Sequence, residues 1–93
     1  MTDAIKQAAR NHPAHILAPF DAMVGLDGLD AIIALCDAAG GQDVYIPSAR
    51  TVFAACIERQ LLHDFNGYNY ADLAKKYGYS TRHVRRIIKA NSP

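Results

Sequence analysis

Tyr70-Ala71-Asp72-Leu73-Ala74-Lys75-Lys76-Tyr77-Gly78-Tyr79-Ser80-Thr81-Arg82-His83-Val84-Arg85-Arg86-Ile87-Ile88-Lys89 reads as two short helices joined by a tight turn. Asn69 stands ready to cap the first, from Tyr70 to about Tyr77, in which Leu73, Ala74 and Tyr77 recur at the spacing of one buried face. Gly78 stops it. Ser80 caps the second, from Thr81 to about Lys89, whose inward residues are Val84, Ile87 and Ile88. Each residue type at the crossing has a mechanical reason to be there. Small Ala74 lets the second helix pass closely, Gly78 takes the left-handed backbone of the turn, and Val84 and Ile87 close the angle of a helix-turn-helix.

Arg82, Arg85, Arg86 and Lys89 fall at i, i+3, i+4 and i+7, opposite the apolar face, so all four point outward together. Solvated helix faces usually mix both signs, and this one carries no acid. In a major groove such a helix offers arginine forks to guanine edges and lysine to phosphate. The expected DNA-contacting set is therefore Ser80, Thr81, Arg82, Arg85, Arg86 and Lys89, with Lys75 and Lys76 flanking on the first helix and Tyr70 reaching a phosphate. Tyr68, Tyr70, Tyr77 and Tyr79 cluster at the turn as a stacking platform would, but Tyr77 sits where core is expected, and packing is the better reading for most of them.

Charge supports the division. Residues 1–65 carry four basic and eight acidic side chains, net −4; residues 66–93 carry six basic and only Asp72, net +5. This asymmetry suggests a nucleic-acid-facing end joined to a partner-facing end.

Upstream, Asn66-Gly67 makes a turn. Ser48 caps a helix to about Asp64, with Phe53, Ile57, Leu61 and Phe65 along one stripe and Val52 and Leu62 off it. Gln42-Asp43-Val44-Tyr45-Ile46 alternates like a short strand closed by Pro47. One strand in a helical chain lacks a partner, which invites pairing with an identical strand across a two-fold axis. Asp27 or Gly28 opens a helix ended by Gly40, with Leu29, Ile32, Ile33 and Cys36 on a face expected to be buried and Leu35 off it, so that more than one side needs covering. Pro19, Gly25 and Gly28 break residues 14–28 into short turns, and Thr2 or Asp3 caps a first helix through about Arg10. The expected fold is mainly α: a helical dimerisation region (1–41), a ribbon strand (42–47) paired antiparallel across the dimer, a connecting helix (48–65) and a C-terminal helix-turn-helix (66–93).

The 93 residues, 51% apolar and 20% charged, suit one small globular unit rather than a multidomain enzyme. The apolar runs are too short to span a membrane, and the start Met1-Thr2-Asp3-Ala4-Ile5-Lys6 lacks the pattern of a secretory signal, so a cytoplasmic protein is expected. Cys36 and Cys56 read as core filler rather than a disulfide. His12 and His15 have no third ligand nearby, and His63 beside Asp64 has no nucleophile. With no phosphate loop or paired carboxylates, neither catalysis nor a cofactor is expected.

The block Gly40-Gly41-Gln42-Asp43-Val44-Tyr45-Ile46-Pro47, the Asp64-Phe65-Asn66-Gly67 turn and the helix-turn-helix together resemble the Mor/C family of phage Mu-type transcription activators, over roughly Leu26 to Lys89. The resemblance implies an intertwined homodimer, a two-stranded ribbon carrying Gln42 and Tyr45 against the DNA backbone or minor groove, and two helix-turn-helix units in major grooves. It also implies activation of phage promoters with host RNA polymerase. A repressor or accessory factor on the same scaffold, and a protein-interaction module for an acidic partner, are the alternatives; a nuclease or recombinase fragment has no clustered acids to support it.

Overall fold

A computed structural model describes residues 2–92, among which the regular elements are six α-helices and two 3-10 turns. They run α1 (Asp3–Asn11), turns at Pro13–His15 and Phe20–Met23, α2 (Gly28–Ala39), α3 (Ala49–Val52), α4 (Ala54–Asp64), α5 (Tyr70–Tyr77) and α6 (Thr81–Ala90). Thr2 starts α1 by accepting from the Ile5 amide at 3.3 Å, which satisfies one of the free donors of the first turn. Ile5 and Ala8, three residues apart, then face one way and are buried.

That face meets α4 and α5, so α1 shares one core with the helix-turn-helix. Cys56, Ile57 and Leu61 enter this core from α4, Leu73, Ala74 and Tyr77 from α5, and Val84, Ile87 and Ile88 from α6. The 1–41 block is thus divided: α1 packs on the C-terminal half, whereas α2 contacts the turn at Phe20–Met23. The molecule is elongated, 46 × 23 × 22 Å.

The apolar face of α2, expected to be buried, is bare. Leu29, Ile32 and Ile33 are 76%, 57% and 55% exposed, Cys36 is exposed too, and Ala31 is the buried residue of the helix. Core filler describes Cys56, whose Sγ donates to the His12 carbonyl at 3.2 Å, but not Cys36. Residues 42–47 form no strand, and Val44, Tyr45 and Ile46 lie exposed between α2 and α3. A ladder needs a second strand, and among the described residues there is none.

The helix expected from Ser48 to Asp64 is present but broken at Phe53, whose φ −103° and ψ 9° separate α3 from α4. Ser48 does cap it, accepting from the Thr51 amide at 3.3 Å. Asn69 does not cap α5. Its carboxamide is engaged in the preceding turn, with Oδ1 accepting from the Asn66 amide at 3.0 Å and Nδ2 donating to the Asp64 carbonyl at 3.2 Å.

Candidate nucleic-acid interface

The turn between α5 and α6 is built as its residue types require. Gly78 adopts φ 72° and ψ 28°, the left-handed conformation that ends a helix without a Cβ clash, and the Tyr79 amide returns to the Ala74 carbonyl at 2.9 Å. Ser80 Oγ accepts from the His83 amide at 3.0 Å and starts α6 in a new direction. Ala74 is buried beneath the crossing with Val84 and Ile87.

Because Val84, Ile87 and Ile88 hold the inner face, Arg82, Arg85, Arg86 and Lys89 are all exposed on the outer one. Arg85 is not free to wander, since its guanidinium lies 5.1 Å from the centre of the Tyr70 ring, which in turn packs on Phe65 with centroids 5.1 Å apart. Tyr70 therefore acts on α6 as a platform under an arginine. Thr81 is half-buried, and the Ser80 hydroxyl is occupied by its cap.

The two lysines of α5 differ. Lys75 is exposed and makes no ion pair among the described residues, whereas Lys76 Nζ lies 2.9 Å from Asp64 Oδ2 and over the Tyr77 ring. Asp64 is the hub of a polar chain that joins three helices. It accepts from Tyr77 Oη at 2.6 Å and from Gln60 Nε2 at 2.9 Å, while Gln60 Oε1 accepts from Asn11 at 2.9 Å. Partial burial pushes the Asp64 carboxyl up, but the hydrogen bonds from Tyr77, Lys76 and Gln60 outweigh it and hold the group below its ordinary range. Burial, and then the bond to Asp64, raises the Tyr77 phenol well above its usual value.

Arg50 is the basic residue that sequence reasoning passed over, lying as it does in the net-acidic half. From α3 it donates through Nη1 to the Tyr77 carbonyl at 2.7 Å and stacks 5.1 Å from the Tyr79 ring centre. No local signal marks this contact across 27 residues. Gln42 and Tyr45 are exposed on the segment before α3, and no hydrogen bond or ring contact joins them to α5 or α6 among the described residues. Away from this face, an apolar groove of about 700 Å³ opens between the end of α1, the 3-10 turns and α3, with Ile16, Phe20, Ile46 and Val52 in its walls. Among the described residues no three His, Cys, Asp or Glu side chains gather as a metal site would need, and no helix is long and apolar enough to cross a membrane.

Residues 4–92 match the Mor transcription activator family. The chain is 31% identical over 61 residues, 66% of its own length and 47% of the relative's, to the middle operon regulator of Escherichia phage Mu. It is 34% identical over 50 residues, 54% of its length and 69% of the relative's, to the Mu-like prophage FluMu protein C of Haemophilus influenzae. The chain thus spans just under half the length of the phage Mu protein. No solved structure matches it.

Proposed function

The chain belongs to the Mor transcription activator family, and from that premise we propose that it is a sequence-specific activator that binds duplex DNA as a homodimer in the bacterial cytoplasm and works with host RNA polymerase. The observation that carries the DNA reading is the outer face of α6, four exposed cations without an acid on a helix aimed by a glycine turn. Arg82, Arg85 and Arg86 read base edges, while Lys89 and Lys75 meet phosphate. Lys76 contributes less, because engaging a phosphate means leaving Asp64.

The dimer reading rests on the bare face of α2 and the apolar groove between α1, the 3-10 turns and α3, two surfaces that one chain leaves open to water. Segment 42–47 pairs with its copy as an antiparallel ribbon and brings Gln42 and Tyr45 to the DNA. Selection of bound sites from random duplexes tests the proposal. The expected product is a pair of related half-sites about one helical turn apart, which then drives transcription by host polymerase when placed upstream of a weak promoter. Recovery of no sequence preference overturns the reading; preference with transcription blocked rather than raised replaces activator by repressor.

A further inference from the structure

Arg50 touches the end of α5 and the turn of the helix-turn-helix from outside it, and reaches α6 through Tyr79. Its Nη1 donates to the Tyr77 carbonyl at 2.7 Å, one of the carbonyls left without a partner at the end of α5 and at the negative pole of that helix. Its guanidinium face covers Tyr79 in the turn, and Tyr79 meets His83 of the first turn of α6 edge-on, with centroids 4.5 Å apart and planes at 83°. The approach is close at Gly78 as well, where a Cβ would stand 2.8 Å from Nη2. No carboxylate pairs with Arg50 among the described residues, so its charge is directed at a carbonyl and a ring.

Arg50 belongs to α3, a single turn that follows directly on segment 42–47. We infer that Arg50 is a positioning residue that locks the helix-turn-helix to the segment preceding α3 and thereby sets the distance and angle between the two recognition helices of a dimer. The inference rests on the dimeric DNA reading above and adds its geometry. In a two-fold complex the half-site spacing reports the separation of the recognition helices, and that separation is transmitted from residues 42–47 through α3. The core that Phe53 and α4 share with α5 and α6 fixes α4 to the module, whereas α3 itself lies beyond the backbone break at Phe53 and reaches the helix-turn-helix through Arg50. Arginine suits the position because one planar fork donates in its plane while its face stacks on the ring, a combination the compact ammonium of lysine cannot reproduce.

The test uses the full chain and duplexes bearing two selected half-sites at the preferred spacing or shifted by one or two base pairs. Wild type is expected to lose about tenfold or more in affinity at shifted spacings, since each subunit then meets its groove at a wrong angle. Arg50→Ala is expected to weaken the best site while shrinking the spacing penalty to about threefold or less, with base preference inside each half-site unchanged. Arg50→Lys falls between, and Tyr79→Leu, which removes the stacking surface, flattens the spacing profile in the same way. Simple misfolding predicts otherwise, because it erodes half-site affinity without relaxing spacing. A wild-type spacing profile in Arg50→Ala overturns the inference. A wild-type chain that is itself indifferent to spacing overturns the dimeric reading instead, and amide exchange in the free protein then decides the clamp. Faster exchange at Gly78 and Tyr79 with α1 unchanged supports it, and unchanged exchange refutes it.

Discussion

Tyr77→Phe isolates one hydrogen bond. The ring of Tyr77 is fully buried in the core shared by α1, α4, α5 and α6, so the substitution keeps the packing and deletes only the hydroxyl that donates to Asp64 at 2.6 Å. Hydrogen bonds to a charged group contribute about 1.5–3 kcal/mol net. Asp64 is 21% exposed and keeps Lys76 and Gln60, so water and the remaining donors make up part of the loss. The low end, about 1.5 kcal/mol, is therefore expected, equivalent to a Tm lower by about 6–12 °C for a chain of this size. Lys76→Ala is the comparator: its ammonium is half exposed, and such pairs are worth about 0–1 kcal/mol. Thermal melts at one fixed protein concentration measure both. A Tyr77→Phe protein as stable as wild type, or a larger loss in Lys76→Ala, refutes the assignment of Asp64 as a half-buried anchor for α5.

The same substitution has a signature in pH. The Asp64 carboxyl is lowered in the fold, so its contribution is present above the ordinary carboxylate range and fades as pH falls through the depressed value. The Tyr77 phenol is raised, so its contribution holds below the free phenol value of about 10 and fades as pH climbs above it. Wild type should lose stability at both ends. Tyr77→Phe should show a shallower acid limb and an alkaline limb reduced to the shares of Tyr79 and Cys56, whose own values burial raises. Identical limbs in the two proteins would contradict the coupling.

Three further outcomes are expected. Ala74→Leu forces extra methylenes into the α5–α6 crossing, where Ala74 is only 6% exposed, and should cost about 1–3 kcal/mol and abolish specific DNA binding while leaving subunit association intact; gel shifts and sedimentation check both. Arg82→Ala, Arg85→Ala or Arg86→Ala should each lose about 1–3 kcal/mol and relax one position of the half-site, whereas Lys75→Ala should weaken all sequences alike and reduce the salt slope by about one unit, as site selection and salt titration measure. Ile32→Glu with Ile33→Glu puts two charges on the bare face of α2 without touching the core of α1, α4, α5 and α6, so sedimentation should shift from twice the chain mass to the chain mass.

The parts of the fold that were legible in the sequence are those whose cause is local. Thr2, Ser48 and Ser80 cap helices because a hydroxyl beside a free amide needs nothing distant, and Gly78 ends α5 because only its own backbone must turn. Where two local partners compete, this logic fails. Asn69 has the right side chain for a cap, but Asn66 and the Asp64 carbonyl reach it first. Interactions across the chain leave no periodic trace at all: Asp64 meets Tyr77 thirteen residues on, and Arg50 meets it after 27. The amphipathic pattern of α1 gives a buried face at Ile5 and Ala8 without saying that the face belongs to α4 and α5.

The α2 helix shows what a hydrophobic period does and does not encode. Leu29, Ile32, Ile33 and Cys36 lie on one face by the same arithmetic that places Val84, Ile87 and Ile88 on another, yet the second set is buried and the first is open to water. Periodicity specifies that a face requires cover; the identity of the cover depends on which surfaces meet it. In α6 the cover is α5 of the same chain, close in sequence and fixed by a one-glycine turn. Residues 40–48 that follow α2 bring back no helix onto it; Val44 and Ile46 reach only its C-terminal end at Leu35, Cys36 and Ala39, and Leu29, Ile32 and Ile33 stay open. Burial of a leucine or isoleucine side chain is worth about 1.5–3 kcal/mol. Leu29, Ile32 and Ile33 therefore leave several kcal/mol per chain unrealised in the single chain, enough to make association of this face a thermodynamic expectation rather than a topological one.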